Sequence, residues 1–195
     1  MKRSTLIRTM LVTATALAAS LPAAAQRGPG RGPGSGAGAR TPIVVEPATA
    51  EEVQMLTFMR EEEKLARDVY RFLSEKWGHS VFDRIADSEQ QHFVSVGTLI
   101  VRYGVQDPAA TDTPGVFQDA KLASLYAELT AKGAASLKDA FEVGILIEKT
   151  DIADLEKAVA TTKLDIKRVY TNLMNASFNH LEAFETCLET VTIAN

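Results

Sequence analysis

Ser88-Glu89-Gln90-Gln91-His92-Phe93 interrupts an otherwise apolar helical seam. Steps of three and four residues through this part of the chain give Phe82, Ile85, Glu89, His92, Val96, Leu99 and Tyr103. That is the buried stripe of an amphipathic helix, with a carboxylate and an imidazole at its middle. The same steps find three more seams. One is Leu56, Met59, Glu63, Ala66, Tyr70, Leu73; another is Leu137, Phe141, Gly144, Glu148, Asp151, Leu155, Ala158; the last is Ile166, Tyr170, Leu173, Ser177, His180, Phe184, Cys187. Four seams that turn polar only near mid-length predict four helices packed around one polar layer.

Helix punctuation agrees with this count. The first helix is expected from Thr49 or Ala50 to Lys76, with Glu51 and Glu52 at its positive end and Gly78 beyond it. The second runs from about Val81 to Tyr103 and stops at Gly104. A Pro-, Gly- and Asp-rich loop follows, and then a short helix from about Gln118 to Lys132. Ser136, with Asp139 three residues on, marks the N-cap of the third long helix, which continues to about Ala160; the fourth extends from Thr161-Thr162 to about Thr190. No segment alternates as a strand does. The expected fold is all-α: an antiparallel four-helix bundle with an additional short helix between the second and third helices.

Glu63, Glu89, Glu148 and Asp151 converging in one apolar seam would repel each other, and an unpaired buried carboxylate costs several kcal/mol. Two divalent cations, held with neutral His92 and His180, would balance them. The three-residue spacing places Glu89 with His92, and Glu148 with Asp151, on one face each. Any one of these residues alone reads more readily as a solvated carboxylate or a hydrogen-bonded core histidine; the joint pattern is what favours metal. Glu62 competes with Glu63, since Met55, Phe58, Glu62, Leu65 and Val69 form a second plausible face. Tyr70 and Tyr170 read as seam packing, with hydrogen bonding to ligands as the lesser role.

The bundle is preceded by different sequence. Lys2, Arg3 and Arg8, a short apolar run and Ala23-Ala24-Ala25 have the layout of a signal peptide over 1–25, the run being shorter than the ~20 residues a membrane span needs. Residues 26–48, rich in Gly, Pro and Arg, read as a flexible linker, and 49–195 as the folded domain. A periplasmic or secreted protein with no stable membrane span after cleavage is expected. Six of the 21 Lys and Arg precede Thr41 and all 25 Asp and Glu follow it, so the remaining 15 basic residues leave the domain at −10. Such a field disfavours nucleic acid and attracts cations. Cys187 is the sole cysteine, which rules out an intramolecular disulfide and a thiolate metal site.

Glu63-x-x-Ala66-Arg67-x-x-Tyr70 followed by Glu89-x-x-His92 resembles the first half-site of rubrerythrin and other ferritin-like di-iron carboxylate proteins. M-R-E-E-E-K-L-A-R-D-V-Y (59–70), I-E-K-T-D-I-A-D-L (147–155) and S-F-N-H-L-E-A-F (177–184) resemble, more specifically, a bacterial ferritin-like family, domain of unknown function 2202, over about residues 50–186. The resemblance implies a ferritin-like bundle with two metals, usually iron, held by Glu63, Glu89, His92, Glu148 and His180. Ser177 departs from it, standing where the family pattern has a final Glu; Asp151 resembles an extra carboxylate that would replace that ligand.

Taken together, these features lead to an exported protein with a di-metal, preferably di-iron, centre that oxidises Fe(II) with peroxide or dioxygen in metal handling or oxidative-stress defence. Mn and Zn suit the same oxygen and nitrogen donors. The alternatives are a non-catalytic Zn or Mn module and a metal-free helical interaction module. No catalytic residue is assigned, and self-association into an oligomer is compatible with the sequence.

Overall fold

The computed structural model describes residues 46–193, within the unit Ile43–Asn195. The expected signal peptide and all but the last three residues of the expected linker lie outside the described residues. Among the described residues there are five helices and no strand: α1 (Ala50–Trp77), α2 (Ser80–Tyr103), α3 (Ala120–Gly133), α4 (Leu137–Thr161) and α5 (Leu164–Ile193). None is long and apolar enough to cross a membrane.

Local chemistry sets the helix ends. Thr49 and Glu52 form a reciprocal capping box at the start of α1, which satisfies two backbone donors that the first turn leaves free. Gly78 closes α1 at φ 63°, a left-handed conformation that a side chain would strain, and His79 then caps α2. This two-residue junction folds α2 straight back along α1. Asp119 caps α3, which begins two residues later than expected and runs through Gly133; Ser136 caps α4.

Contacts fix the helix directions. Tyr70 of α1 meets Gly144 and Glu148 of α4, whereas Glu52 at the opposite end of α1 meets Lys163, just before α5. Hence α1 and α4 are antiparallel. Ser88 of α2 meets His180 of α5, and Tyr103 at the end of α2 meets Asp165 at the start of α5, so this pair is antiparallel too. It follows that α2 and α4 point the same way, which requires the long crossover through residues 104–136. The short helix α3 within that crossover packs on α1 and α4.

Two apolar clusters make the core. One contains Leu65, Val69, Tyr70, Leu73, Phe82, Ile85, Phe141, Ile147 and Phe184; the other contains Leu56, Met59, Val96, Leu99, Leu155, Ile166, Tyr170 and Leu173. In all four long helices the break between them falls at the predicted polar step. The layer is therefore sealed above and below by hydrocarbon.

The back of α1 is not solvated as an ordinary bundle helix would be. Every residue from Met59 to Tyr70 is buried, including Arg60, Glu61, Lys64, Arg67 and Asp68. These side chains grip the crossover. Arg60 pairs with Asp107 and Arg67 with Asp112; Lys64 donates to the Thr113 carbonyl, Asp68 accepts from the Gly115 amide, and Glu61 accepts from the Gln118 and Asp119 amides. The Arg60 Cζ also lies over the Phe93 ring, 3.2 Å from its centroid.

Candidate metal centre

Each long helix contributes to the layer from its middle turn. Glu63 comes from α1, Glu89 and His92 from α2, Glu148 and Asp151 from α4, and Ser177 and His180 from α5; all are buried. Two three-residue groups form, Glu63/Glu89/His92 and Glu89/Glu148/His180, each with donor atoms within 4.8 Å of one another. Glu89 belongs to both. Its Oε2 lies 2.8 Å from His92 Nδ1 and its Oε1 lies 2.8 Å from His180 Nδ1, so its two oxygens face different imidazoles. Glu63 Oε2 completes the first group 3.3 Å from His92 Nδ1, and Glu148 Oε2 the second, 3.5 Å from His180 Nδ1. The two rings stack with centroids 5.7 Å apart.

These approaches are not ordinary hydrogen bonds. Glu63 Oε1, Glu89 Oε1, His92 Nδ1, Asp151 Oδ1 and His180 Nδ1 are buried without a hydrogen-bond partner, making five of the eight such side-chain atoms among the described residues. Buried polar atoms are nearly always satisfied, so an orphaned cluster of ligand-type atoms calls for an explanation. The charge balance gives the same message. Burial, and then the neighbouring Asp151, push Glu63 well above the usual carboxylate range. Burial and Glu89 raise Glu148 to about 8 and Asp151 to about 7. Burial would lower His92, but Glu63 and Glu89 lift it to about 11; His180, beside Glu148 and Glu89, rises to about 9. Burial opposes ionisation of Glu89 as well, yet the two imidazoles hold it down to about 2. Without a metal the layer draws in protons wherever it can.

A metal fits this donor set. Carboxylate oxygen and imidazole nitrogen converging without hydrogen bonds suit Fe, Mn or Zn. The surroundings orient the ligands: His180 Nε2 contacts Ser88 Oγ at 2.9 Å, and Tyr70 donates to Glu148 Oε1 at 2.6 Å. Such outer contacts fix ligand rotamers. Tyr70 thus both packs in the seam and holds a carboxylate, whereas Tyr170 packs with its hydroxyl unpartnered.

Asp151 enters neither group. Its Oδ2 accepts a 2.6 Å hydrogen bond from Ser177, whose hydroxyl also lies 3.1 Å from the Leu173 carbonyl, and its Oδ1 stays free. Glu62 is buried too, but stands outside both groups with Oε2 unpartnered; burial, then Asp151 and Asp154, push it well above the carboxylate range. Sequence reasoning missed Ser88 as a partner of His180; its position directly before Glu89 was the available signal. His79, the third histidine, caps α2 and packs on Phe82 and Phe141, away from the layer.

A family profile described as "Uncharacterized protein domain (DUF2202)" matches residues 52–194. The uncharacterized protein MJ0754 of Methanocaldococcus jannaschii is 49% identical over 140 residues, which are 71% of this chain and 76% of that protein. The crystal structure of hypothetical protein MJ0754 from Methanococcus jannaschii aligns with a TM-score of 0.74 at 46% identity, covering 78% of this chain and 87% of that chain. A DUF305 fragment from Deinococcus radiodurans aligns with a TM-score of 0.57 at 16% identity, over 74% of this chain and 99% of that chain; this is a likeness of fold alone.

Proposed function

The chain belongs to the DUF2202 family, and from that premise we propose that its polar layer is a two-metal centre in a ferritin-like bundle. One observation carries the reading: two three-residue ligand groups share Glu89, while their donor atoms lack hydrogen-bond partners. The parallel direction of α2 and α4 across one long crossover supports the ferritin-like arrangement, as does a Glu from α1 and from α4 with Glu-x-x-His in α2. The fourth motif is Ser177-x-x-His180. In place of its carboxylate stands the Ser177–Asp151 hydrogen bond, so Glu89 is left as the one carboxylate common to the two groups.

In this reading Glu63 and His92 would hold one ion and Glu148 and His180 the other, with Glu89 common to both groups. Iron bound there would supply the electrons that reduce peroxide or dioxygen, and the activity proposed is oxidation of Fe(II) in metal handling or oxidative-stress defence. The chain's own contribution is positional. Tyr70 and Ser88 hold Glu148 and His180 in place, the apolar clusters exclude bulk water, and Asp151 keeps a free oxygen beside the groups. The reading also includes export, with Ala23-Ala24-Ala25 preceding the cleavage point.

Elemental analysis of the purified full-length protein, beside a Glu89→Ala/His92→Ala variant, tests the centre. About two Fe per chain, lost in the variant, together with peroxide-dependent Fe(II) oxidation, is the expected result. One Zn or Mn without turnover would leave a structural metal module. The close Glu89–imidazole pairs favour one rival: a metal-free bundle held by imidazolium–carboxylate contacts, whose melting temperature would ignore chelators.

A further inference from the structure

A cavity of about 110 Å³ lies between α1, α3 and α4, at the height of the polar layer but outside it. Its walls are Leu65, Leu122, Leu125, Leu129 and Ile147, and Leu146 with Thr150 stands at its exposed side. Glu62 is the single acidic residue lining it. The Thr150 hydroxyl is spent on the Leu146 carbonyl, whereas Glu62 Oε2 is buried with no hydrogen-bond partner, on a residue 6% exposed. The short helix α3 supplies three of the leucines. Packed on α1 and α4, it builds a chamber against the residue next to Glu63.

Water is a poor occupant for such a space. A buried water needs two to four polar partners, and these walls offer one free oxygen; apolar cavities of comparable size, ~150 Å³, stay dry and take up benzene. Left empty, the chamber strands a buried carboxyl oxygen, which is costly. A ligand satisfies both constraints if its body is apolar and it carries a single donor. A hydroxyl meets this requirement with a single bond to a carboxyl oxygen.

We propose that this cavity binds a small apolar molecule with one hydroxyl group, of phenol size or below, which donates to Glu62 while its body fills the leucine chamber. Glu62 is then a binding residue for this ligand, distinct from the candidate metal ligands. Only the statement that the occupant lies beside a metal rests on the two-metal reading. The binding itself does not.

Phenol and benzene are the probes, titrated into full-length protein with methyl-labelled leucine, both as purified and after chelation. The expected result is ring-to-methyl contacts confined to Leu65, Leu122, Leu125, Leu129 and Leu146, with phenol bound about tenfold more tightly than benzene, the worth of one buried hydrogen bond. Glu62→Leu should erase that preference, and Leu125→Trp, at a half-buried site on α3, should exclude both probes. The wild-type contacts keep the test decisive if either variant folds poorly. Equal affinity for the two probes, or contacts elsewhere, would overturn the proposal. Phenol binding in a chain that takes up no metal would remove the metal reading alone, and two bound metals without phenol binding would remove the cavity reading alone.

Discussion

Glu89→Gln is the most informative single change in the layer, because one carboxylate faces both imidazoles. The substitution keeps shape and removes the charge and one acceptor oxygen. If two metals bind as proposed, a metal present at a hundred times its Kd stabilises the fold by about 2.7 kcal/mol per independent site. For a domain of this size ~1 kcal/mol moves Tm by about 2–4 °C, so each site is worth about 5–10 °C. Glu63 stands only in the first group and Glu148 only in the second. Glu63→Gln and Glu148→Gln should therefore each remove about one metal and roughly half of the metal-dependent rise in Tm. Glu89→Gln should remove nearly all of both. Metal content by elemental analysis and thermal melts with and without chelator supply the readouts. If Glu89→Gln keeps the full rise, or costs no more than either neighbour, the shared-ligand geometry is wrong.

Asp68→Ala removes the anion shared by Lys64, Arg67 and the Gly115 amide, leaving buried Lys64 without a carboxylate and Arg67 with Asp112 alone; about 3–5 kcal/mol should be lost in chemical denaturation, with faster proteolysis within residues 105–119. Gly144→Ala would gain helix propensity of up to about 1 kcal/mol, but its Cβ would stand 2.7 Å from the Phe184 ring, so overpacking of ~1–3 kcal/mol should win and a more stable variant would contradict the packing. In the chelated protein, Glu148 and Asp151 keep protons that they release in the unfolded chain near 4, and His92 and His180 keep protons released there near 6.5. Their contributions are complete below those values and fade as pH rises toward 7–9 for Glu148, Asp151 and His180 and toward 11 for His92, so chelated protein should melt lower at pH 8 than at pH 5; a rise would reject the charge balance described. Metal uptake should show the opposite trend, since protons compete for the same atoms.

The long helices were legible because their seams obey one period and their polar steps coincide in height. Glu89, His92, Glu148 and His180 needed nothing beyond that register to be placed together, whereas on α1 the register left Glu62 and Glu63 in competition. Asp151 shared the same period, yet the direction of its carboxylate depends on Ser177 across the bundle, a contact that a step count along one helix does not encode. The back of α1 was illegible for a related reason. Arg60, Glu61, Lys64, Arg67 and Asp68 have the composition of a solvated face, and only the path of the crossover buries them. A loop recognised by Pro, Gly and Asp is visible in sequence; where it lies is not.

That buried network bears on the choice between Glu62 and Glu63. A helix in a simple bundle is held by its inner stripe, and a rotation of one residue would exchange adjacent side chains at modest cost. α1 is held on both sides. Arg60, Lys64, Arg67 and Asp68 anchor its outer face to Asp107, Asp112, Thr113 and Gly115, while Leu56, Met59, Tyr70 and Leu73 anchor its inner one. Turning α1 to bring Glu62 into the ligand groups would break the Arg60–Asp107 and Arg67–Asp112 ion pairs and strip Glu61, Lys64 and Asp68 of their bonds to the crossover backbone. The crossover clamp thus fixes the rotation of α1, sends Glu63 to His92, and leaves Glu62 facing the leucine cavity. Loosening the clamp with Asp68→Ala should consequently weaken the site that contains Glu63 more than the site that contains Glu148. Equal loss at both sites would mean that the two faces of α1 are uncoupled.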